Sequence, residues 1–392
     1  MSLKTSYSTI KEAVEIAEGL APKLRERIPM AEELRRLPEE NVRDLLDSGL
    51  IALENPRRWG GPELSLDALI EVCAALSEGC PSTSWVYALW GAHMWLIGQY
   101  PEHVQEQVFT NPNSLVSSVV NTTGTPEIVD GGYTWSGRGF FSSGVDHCNW
   151  LIAAIEVHPE GQQPDRRWFL IPRSDFEIID DWYTVGLKAT GSKTIELKDV
   201  FVPEEYCIRQ QDLSQGTAYG ASLHNSPLYC AAMDFTFSLP LAGPEVGIAR
   251  SVIKTFEERC RTRIASPNPR QVNSQLASLI RLAEAGAQVD AARALLLEDA
   301  RRFCNMPAAE ATELDKFKCR RDVAFATQMC RKAANSIFEA AGGSNIYDSA
   351  DMQRLWRDSN VAAAHNGLMW DHHGLAYGRL SVGLEPMVQS AL

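Results

Sequence analysis

The chain has no Cys-x-x-Cys pair, no apolar run approaching the ~20 residues that span a bilayer, and no excess of basic charge. Each absence closes off a class of function. Nine cysteines are scattered through 392 residues with no metal-ligand spacing, the pattern of reduced, mostly buried thiols in a cytoplasmic protein. His372 and His373 are adjacent rather than one helical turn apart, so no metal is expected. Lys and Arg total 37 against 50 Asp and Glu, and a formal charge of −13 argues against nucleic acid, whose phosphates need a basic face. The first residues carry charge throughout and hold no apolar core, which reads against a signal peptide. No Gly-x-Gly-x-x-Gly follows a strand-like run, so a tightly held Rossmann dinucleotide is not expected.

What is present reads as a large soluble protein. Hydrophobic residues make up 45% and charged residues 22%, and a chain this long is expected to form two or three packed units. Residues 1–112 read as helices, with Ile10, Val14, Ala17 and Leu20 at helical spacing and Ser65 capping a run through Leu66, Leu69, Ile70 and Leu76. Residues 113–210 change to short β-type runs (Leu115–Val120, Tyr133–Phe141, Trp150–Val157, Trp168–Ile171, Thr194–Val202) without intervening helices, suggesting a small antiparallel barrel or sandwich. Residues 211–228 are polar and carry Gly and Ser, so a long loop is expected. Residues 229–392 return to four long amphipathic segments, roughly 230–264, 270–302, 312–341 and 350–378, punctuated by Pro267, Pro269, Pro307 and Gly342-Gly343; these predict a four-helix bundle. The fold class is therefore α+β, mainly α.

Four local motifs occur in order along this layout. They are Pro56 with Trp59-Gly60-Gly61; Phe140-Phe141-Ser142-Ser143-Gly144 followed by Trp150; Gly186-Leu187-Lys188-Ala189-Thr190-Gly191-Ser192 running into Val200-Phe201-Val202-Pro203; and Gly342-Gly343 with Trp356-Arg357-Asp358. Each is common alone; their order and spacing resemble the acyl-CoA dehydrogenase superfamily over essentially the whole chain. One departure is informative. In the dehydrogenases a glutamate eight residues past this aspartate removes the α-proton of an acyl thioester; here Asn366 stands there, and an amide has no usable basicity. Beside it is His365, whose side-chain type suits proton traffic near neutrality. Cys80-Pro81-Ser82-Thr83-Ser84-Trp85, leading to Gly91-Ala92-His93-Met94-Trp95, is similar to the oxygenase components of two-component flavin monooxygenases that hydroxylate phenols and indoles.

This resemblance implies a monooxygenase that takes reduced flavin, FADH2 in preference to FMNH2, from a separate NAD(P)H:flavin reductase. It implies O2 as co-substrate, a C4a-hydroperoxyflavin, a small aromatic substrate and a homotetramer. By the same resemblance Ser142, or Ser143 one register away, would bond the flavin N5 edge, with Ser118, Lys188, Thr190, Ser192, Arg263 and the Gly342-Gly343 backbone as further flavin contacts. His365 would deprotonate or orient the substrate, and His93, Trp95, Ser117, Phe237 and Asn366 would face it. Plain alternatives stand beside these: His93 as a satisfied core histidine, Gly342-Gly343 as a helix stop, His372 and His373 as exposed or interface residues. An N- or S-oxygenase of the same fold, or an acyl-CoA dehydrogenase with its base displaced to Glu245, are the rival functions; a flavin-less scaffold would require the serines and His365 to be incidental.

Overall fold

The computed structural model describes residues 7–264 and 272–387. Six helices open the chain: α1 (Ile10–Glu26), α2 (Ile28–Leu34), α3 (Glu39–Asp47), α4 (Leu66–Gly79), α5 (Pro81–Ile97) and α6 (Glu102–Phe109). A capping box between Thr9 and Glu12 starts α1. Helix α5 is apolar on every side, begins with Pro81 in its first turn, and buries every residue except Leu89; such a helix belongs at the centre of a protein.

Nine strands follow: β1 (Val116–Val119), β2 (Asn121–Thr122), β3 (Glu127–Val129), β4 (Gly132–Ser142), β5 (Trp150–Val157), β6 (Asp165–Pro172), β7 (Glu177–Ile179), β8 (Lys193–Pro203) and β9 (Cys207–Arg209). They form two sheets with a core between them, the sandwich alternative, ordered β1-β5-β6-β9 and β2-β4-β8-β7 with β3 added on β4. The β1·β5 pair is parallel, because the chain crosses to the second sheet between the two strands. Alternation along β5 and β6 explains their apolar composition. Leu151, Ala153, Ile155, Phe169 and Ile171 point into the core between the sheets, while Ile152, Ala154, Trp168 and Leu170 join the helical core.

The expected loop over 211–228 is instead three short helices, α7 (Gln210–Gln215), α8 (Tyr219–His224) and α9 (Pro227–Cys230). The Gly216 and Asn225 that signalled a loop are their left-handed C-caps, and Pro227 opens the third. A further short helix, α10 (Met233–Thr236), precedes the bundle of α11 (Gly243–Ile264), α12 (Val272–Cys304), α13 (Glu313–Ala341), α14 (Asp351–Ala362) and α15 (Trp370–Ser381). The fourth bundle segment, expected to run unbroken over 350–378, thus stops at Ala362 and resumes at Trp370. His365 lies in that break with extended backbone (ψ 135°), and its ring accepts the Gly367 N–H as a cap. The side chain thus satisfies a backbone donor that a continuous helix would have used, and Asn366-Gly367 has little helix preference to oppose it.

Candidate active site

Helix α5 and strand β1 build the first part of the site. His93, fully buried, places Nδ1 at 2.6 Å from the Val116 carbonyl oxygen. A carbonyl can only accept, so Nδ1 carries the proton and Nε2 is left with its lone pair. Nε2 is buried and has no partner among the described residues. Burial pushes the His93 pKa down to about 4, partly offset by the Val116 bond, so the ring is neutral and its exposed function is that of an acceptor. Around it stands an aromatic wall: Phe237 lies 6.0 Å from the His93 ring, 6.1 Å from Trp95 and 5.4 Å from Trp168. Trp95 and Trp168 are fully buried and Phe237 nearly so.

The serines fall into two directed hydrogen-bond chains. In one, Ser117 Oγ donates to the Ser143 carbonyl at 2.9 Å and lies 2.8 Å from Ser142 Oγ. In the other, Thr190 donates to the Leu187 carbonyl, Ser192 lies 2.7 Å from Thr190, and Ser143 lies 2.7 Å from Ser192. With the Thr190 proton committed, the order must run Ser143 to Ser192 to Thr190. Ser143, Thr190 and Ser192 therefore satisfy one another in the interior. Ser118 is half-buried and, by strand alternation, faces away from Ser117. Gly144, directly after the serines, has φ +70°, and a Cβ there would sit 2.5 Å from Val86 Cγ1 and 2.9 Å from Trp90 Cζ2 on α5. Only glycine lets the β4 end approach that helix.

Two features here escaped sequence reasoning. Phe141 takes φ +66° although it is a bulky residue, is 63% exposed, and meets the Trp182 ring edge-on at 6.3 Å. Backbone of this kind costs about 1–2 kcal/mol and is retained where the surrounding structure over-determines it. No sequence signal marks a positive φ at phenylalanine. The second is the tie between bundle and sheets: Asp358 Oδ1 accepts the Leu187 N–H at 2.7 Å, and burial pushes the Asp358 pKa up to about 6 despite nearby Arg354. Lys188, next to Leu187, is half-buried and makes no ion pair among the described residues.

His365 meets the same central helix. Its ring contacts Trp85 edge-on at 5.5 Å, two turns before His93 on α5. Nδ1 accepts the Gly367 N–H at 3.1 Å, so in the neutral ring Nε2 carries the proton. Burial and the neighbouring His373 push its pKa down to about 4. The expectation of a base thus needs restating. Among the described residues His93 presents a free acceptor and His365 a free donor. Asn366 is exposed; its amide oxygen lies 3.1 Å from His372 Nδ1, and its carbonyl takes His373 Nε2 at 3.0 Å, so both oxygens are engaged by α15 rather than open to a ligand. His372 is exposed but His373 is buried. Gly342 ends α13 with φ +82°, and Gly343 opens the following turn; both are exposed, beside Ser344 and Asn345, which take the Arg259 guanidinium. The Arg263 side chain lies outside the described residues. Glu245 is fully buried between α11 and α14, with Oε1 accepting from Ser359 at 2.5 Å, and burial pushes its pKa well up.

A pH prediction arises directly. Free histidine titrates near 6.5, whereas His93, His365 and His373 are pushed down to about 4 in the fold. As pH falls from about 6.5 to 4, the unfolded chain takes up these protons and the folded chain does not, so stability is present above that window and lost within it. His93 alone accounts for about 3 kcal/mol. Denaturant midpoints should fall steadily between pH 6.5 and 4.5 in the wild type and less so in His93→Gln. A flat profile would contradict the neutral assignments.

Helical N-terminal region, paired sheets and helical bundle, with a buried imidazole at His93, a half-buried one at His365 and a serine-lined strand end, define a protein of the acyl-CoA dehydrogenase fold whose glutamate base is gone. Residues 239–370 match the family described as acyl-CoA dehydrogenase, C-terminal domain. The chain is 32% identical over 374 residues to the flavin-dependent monooxygenase, oxygenase subunit HsaA, of Mycobacterium tuberculosis, covering 94% of this chain and 95% of that one. It is 31% identical to the FADH2-dependent resorcinol hydroxylase, oxygenase component, of a Rhizobium species, covering 95% and 94%. The crystal structure of 3-HSA hydroxylase from Rhodococcus sp. RHA1 superposes with a TM-score of 0.91 at 29% identity, covering 99% of each chain. The chain belongs to the oxygenase components of two-component flavin-dependent monooxygenases, and is an oxidoreductase of that family. Among the described residues no helix is long and apolar enough to cross a membrane, and no cluster of ligands could hold a metal.

Proposed function

We propose that this oxygenase component uses reduced FAD, delivered by a separate NAD(P)H:flavin reductase, and O2 to hydroxylate a small aromatic ring bearing an O–H or indole-type N–H. The observation that carries this reading is the unpartnered Nε2 of His93. A buried acceptor without a donor costs about 1–3 kcal/mol, and a ring O–H or N–H repays it. Thioethers have no such donor, which disfavours S-oxygenation.

The flavin, when bound, supplies the oxygen-activating chemistry. Ser142 at the end of β4 would meet its N5 edge, and the unpaired Lys188 would face its anionic ring. The Phe141–Trp182 pair, beside both, would wall the ring. His93 Nε2 accepts the ring hydroxyl's hydrogen bond and draws its proton away as oxygen is transferred, raising electron density on the ring carbons that accept oxygen. His365 Nε2–H, across α5 at Trp85, would be the donor available to negative charge that develops in the site. Trp95, Trp168 and Phe237 keep water away, so that oxygen goes to substrate rather than to peroxide. A homotetramer is proposed by family resemblance, and the exposed apolar residues Leu375, Val382 and Leu384 at and beyond the end of α15 are surface it could cover.

The test is a matched substrate pair. With reduced FAD regenerated by any flavin reductase, a phenol should be hydroxylated, whereas its O-methyl ether should only accelerate H2O2 release. Equal turnover of both would overturn the assignment of His93 as the recognition group.

A further inference from the structure

We infer that Ser117 fixes Ser142 as a hydrogen-bond acceptor and thereby makes the flavin site select reduced over oxidised flavin. The inference rests on the proposed placement of Ser142 at the N5 edge, and it assigns a role to a residue that touches the flavin only through another.

A hydroxyl has one proton. That of Ser117 goes to the Ser143 carbonyl, which can only accept. The 2.8 Å contact between Ser117 and Ser142 is then made by the Ser142 proton, donated to Ser117 Oγ. Both side chains are buried, so the bond between them is made inside the protein. Ser142 has no other partner among the described residues, and what remains on its oxygen is lone pair alone.

The N5 atom of flavin changes its hydrogen-bonding character with oxidation state. Reduced flavin carries a proton on N5 and donates; oxidised flavin has only a lone pair there and needs a donor. An acceptor-only Ser142 pairs with the first and opposes the second, lone pair against lone pair. For Ser142 to serve oxidised flavin it must break its bond to Ser117 inside a buried site. An enzyme supplied with reduced flavin by diffusion benefits from that asymmetry, since spent flavin is expelled and fresh flavin captured.

The same strand connects this device to the substrate side. Val116 fixes the His93 tautomer through its carbonyl, and Ser117, the next residue, fixes the Ser142 proton through its side chain. Strand β1 therefore sets the direction of both hydrogen bonds, leaving one acceptor for flavin and one for substrate.

The experiment measures dissociation constants for oxidised FAD in air and reduced FAD under anaerobic conditions. Wild type, Ser117→Ala, Ser142→Ala and the double variant are compared, with Ser192→Ala as a control for losing a buried hydroxyl. Wild type should prefer reduced FAD. In Ser117→Ala the Ser142 proton is released, so the preference should shrink about fivefold, mainly through tighter binding of oxidised FAD. The bound midpoint potential should fall correspondingly by about 20 mV. In Ser142→Ala, reduced FAD should bind about fivefold more weakly. Adding Ser117→Ala to that variant should leave the ratio unchanged. An unaltered ratio in Ser117→Ala, or an equal shift in Ser192→Ala, would overturn the relay while leaving flavin binding intact. Wild type that holds neither form of FAD would instead remove the flavin reading on which the relay stands.

Discussion

The His93→Asn variant is expected to lose hydroxylated product by about 10²- to 10⁴-fold while still consuming O2, with nearly all of it appearing as H2O2. The asparagine amide can reach toward the Val116 carbonyl that the imidazole now bonds, so the strand keeps much of its support. It cannot place a second, basic nitrogen one ring-width further on. The substrate hydroxyl then loses the acceptor that draws its proton away, and ring nucleophilicity falls with it. Because burial holds His93 neutral down to about pH 4, wild-type coupling should show no inflection at the ordinary histidine value, 6.5. Product yield by chromatography, set against peroxide in the same sample from pH 5 to 8, checks both statements. A variant that keeps its yield would reduce His93 to a packing residue, the plain alternative that its sequence position left open.

The family and the fold are legible in the sequence because motif order survives where individual residues do not specify a fold. Asn366 at the lost glutamate, the adjacent His365, and the run from Cys80 to Trp95 led to the family. Direction of hydrogen bonding was not legible. Sequence puts a histidine near a flavin but does not say which nitrogen is occupied; that depends on the Val116 carbonyl for one ring and the Gly367 amide for the other. The amphipathic pattern over 350–378 likewise predicts one helix, since nothing in Ala-His-Asn-Gly announces that the His365 ring will cap and break it. Polar residues over 211–228 predict a loop, although Gly216 and Asn225 end helices as readily as they make turns. The motif makes Ser143, Thr190 and Ser192 flavin contacts by resemblance, and only three-dimensional pairing reveals that their protons run to one another and to the Leu187 carbonyl.

The opposite tautomers of the two histidines can be separated experimentally, and His365→Asn is the instrument. Asparagine is among the best helix caps, so its side chain should still take the Gly367 N–H and preserve the break between α14 and α15. Unfolding midpoints should stay within about 0.5 kcal/mol of wild type. What the variant loses is the longer-reaching Nε2–H beside Trp85, and product formation should fall about 10²-fold, the scale for removing one donor from developing negative charge. Substrate acidity then distinguishes the roles. A nitro-substituted phenol, already ionised at neutral pH, needs no base and should restore much of the lost yield in His93→Asn relative to the parent phenol. It brings no donor for the departing oxygen, so His365→Asn should gain nothing from it. Rescue of His365→Asn by the acidic phenol would mean that His365, not His93, removes the substrate proton, and that the Gly367 contact yields to a different tautomer once substrate is bound.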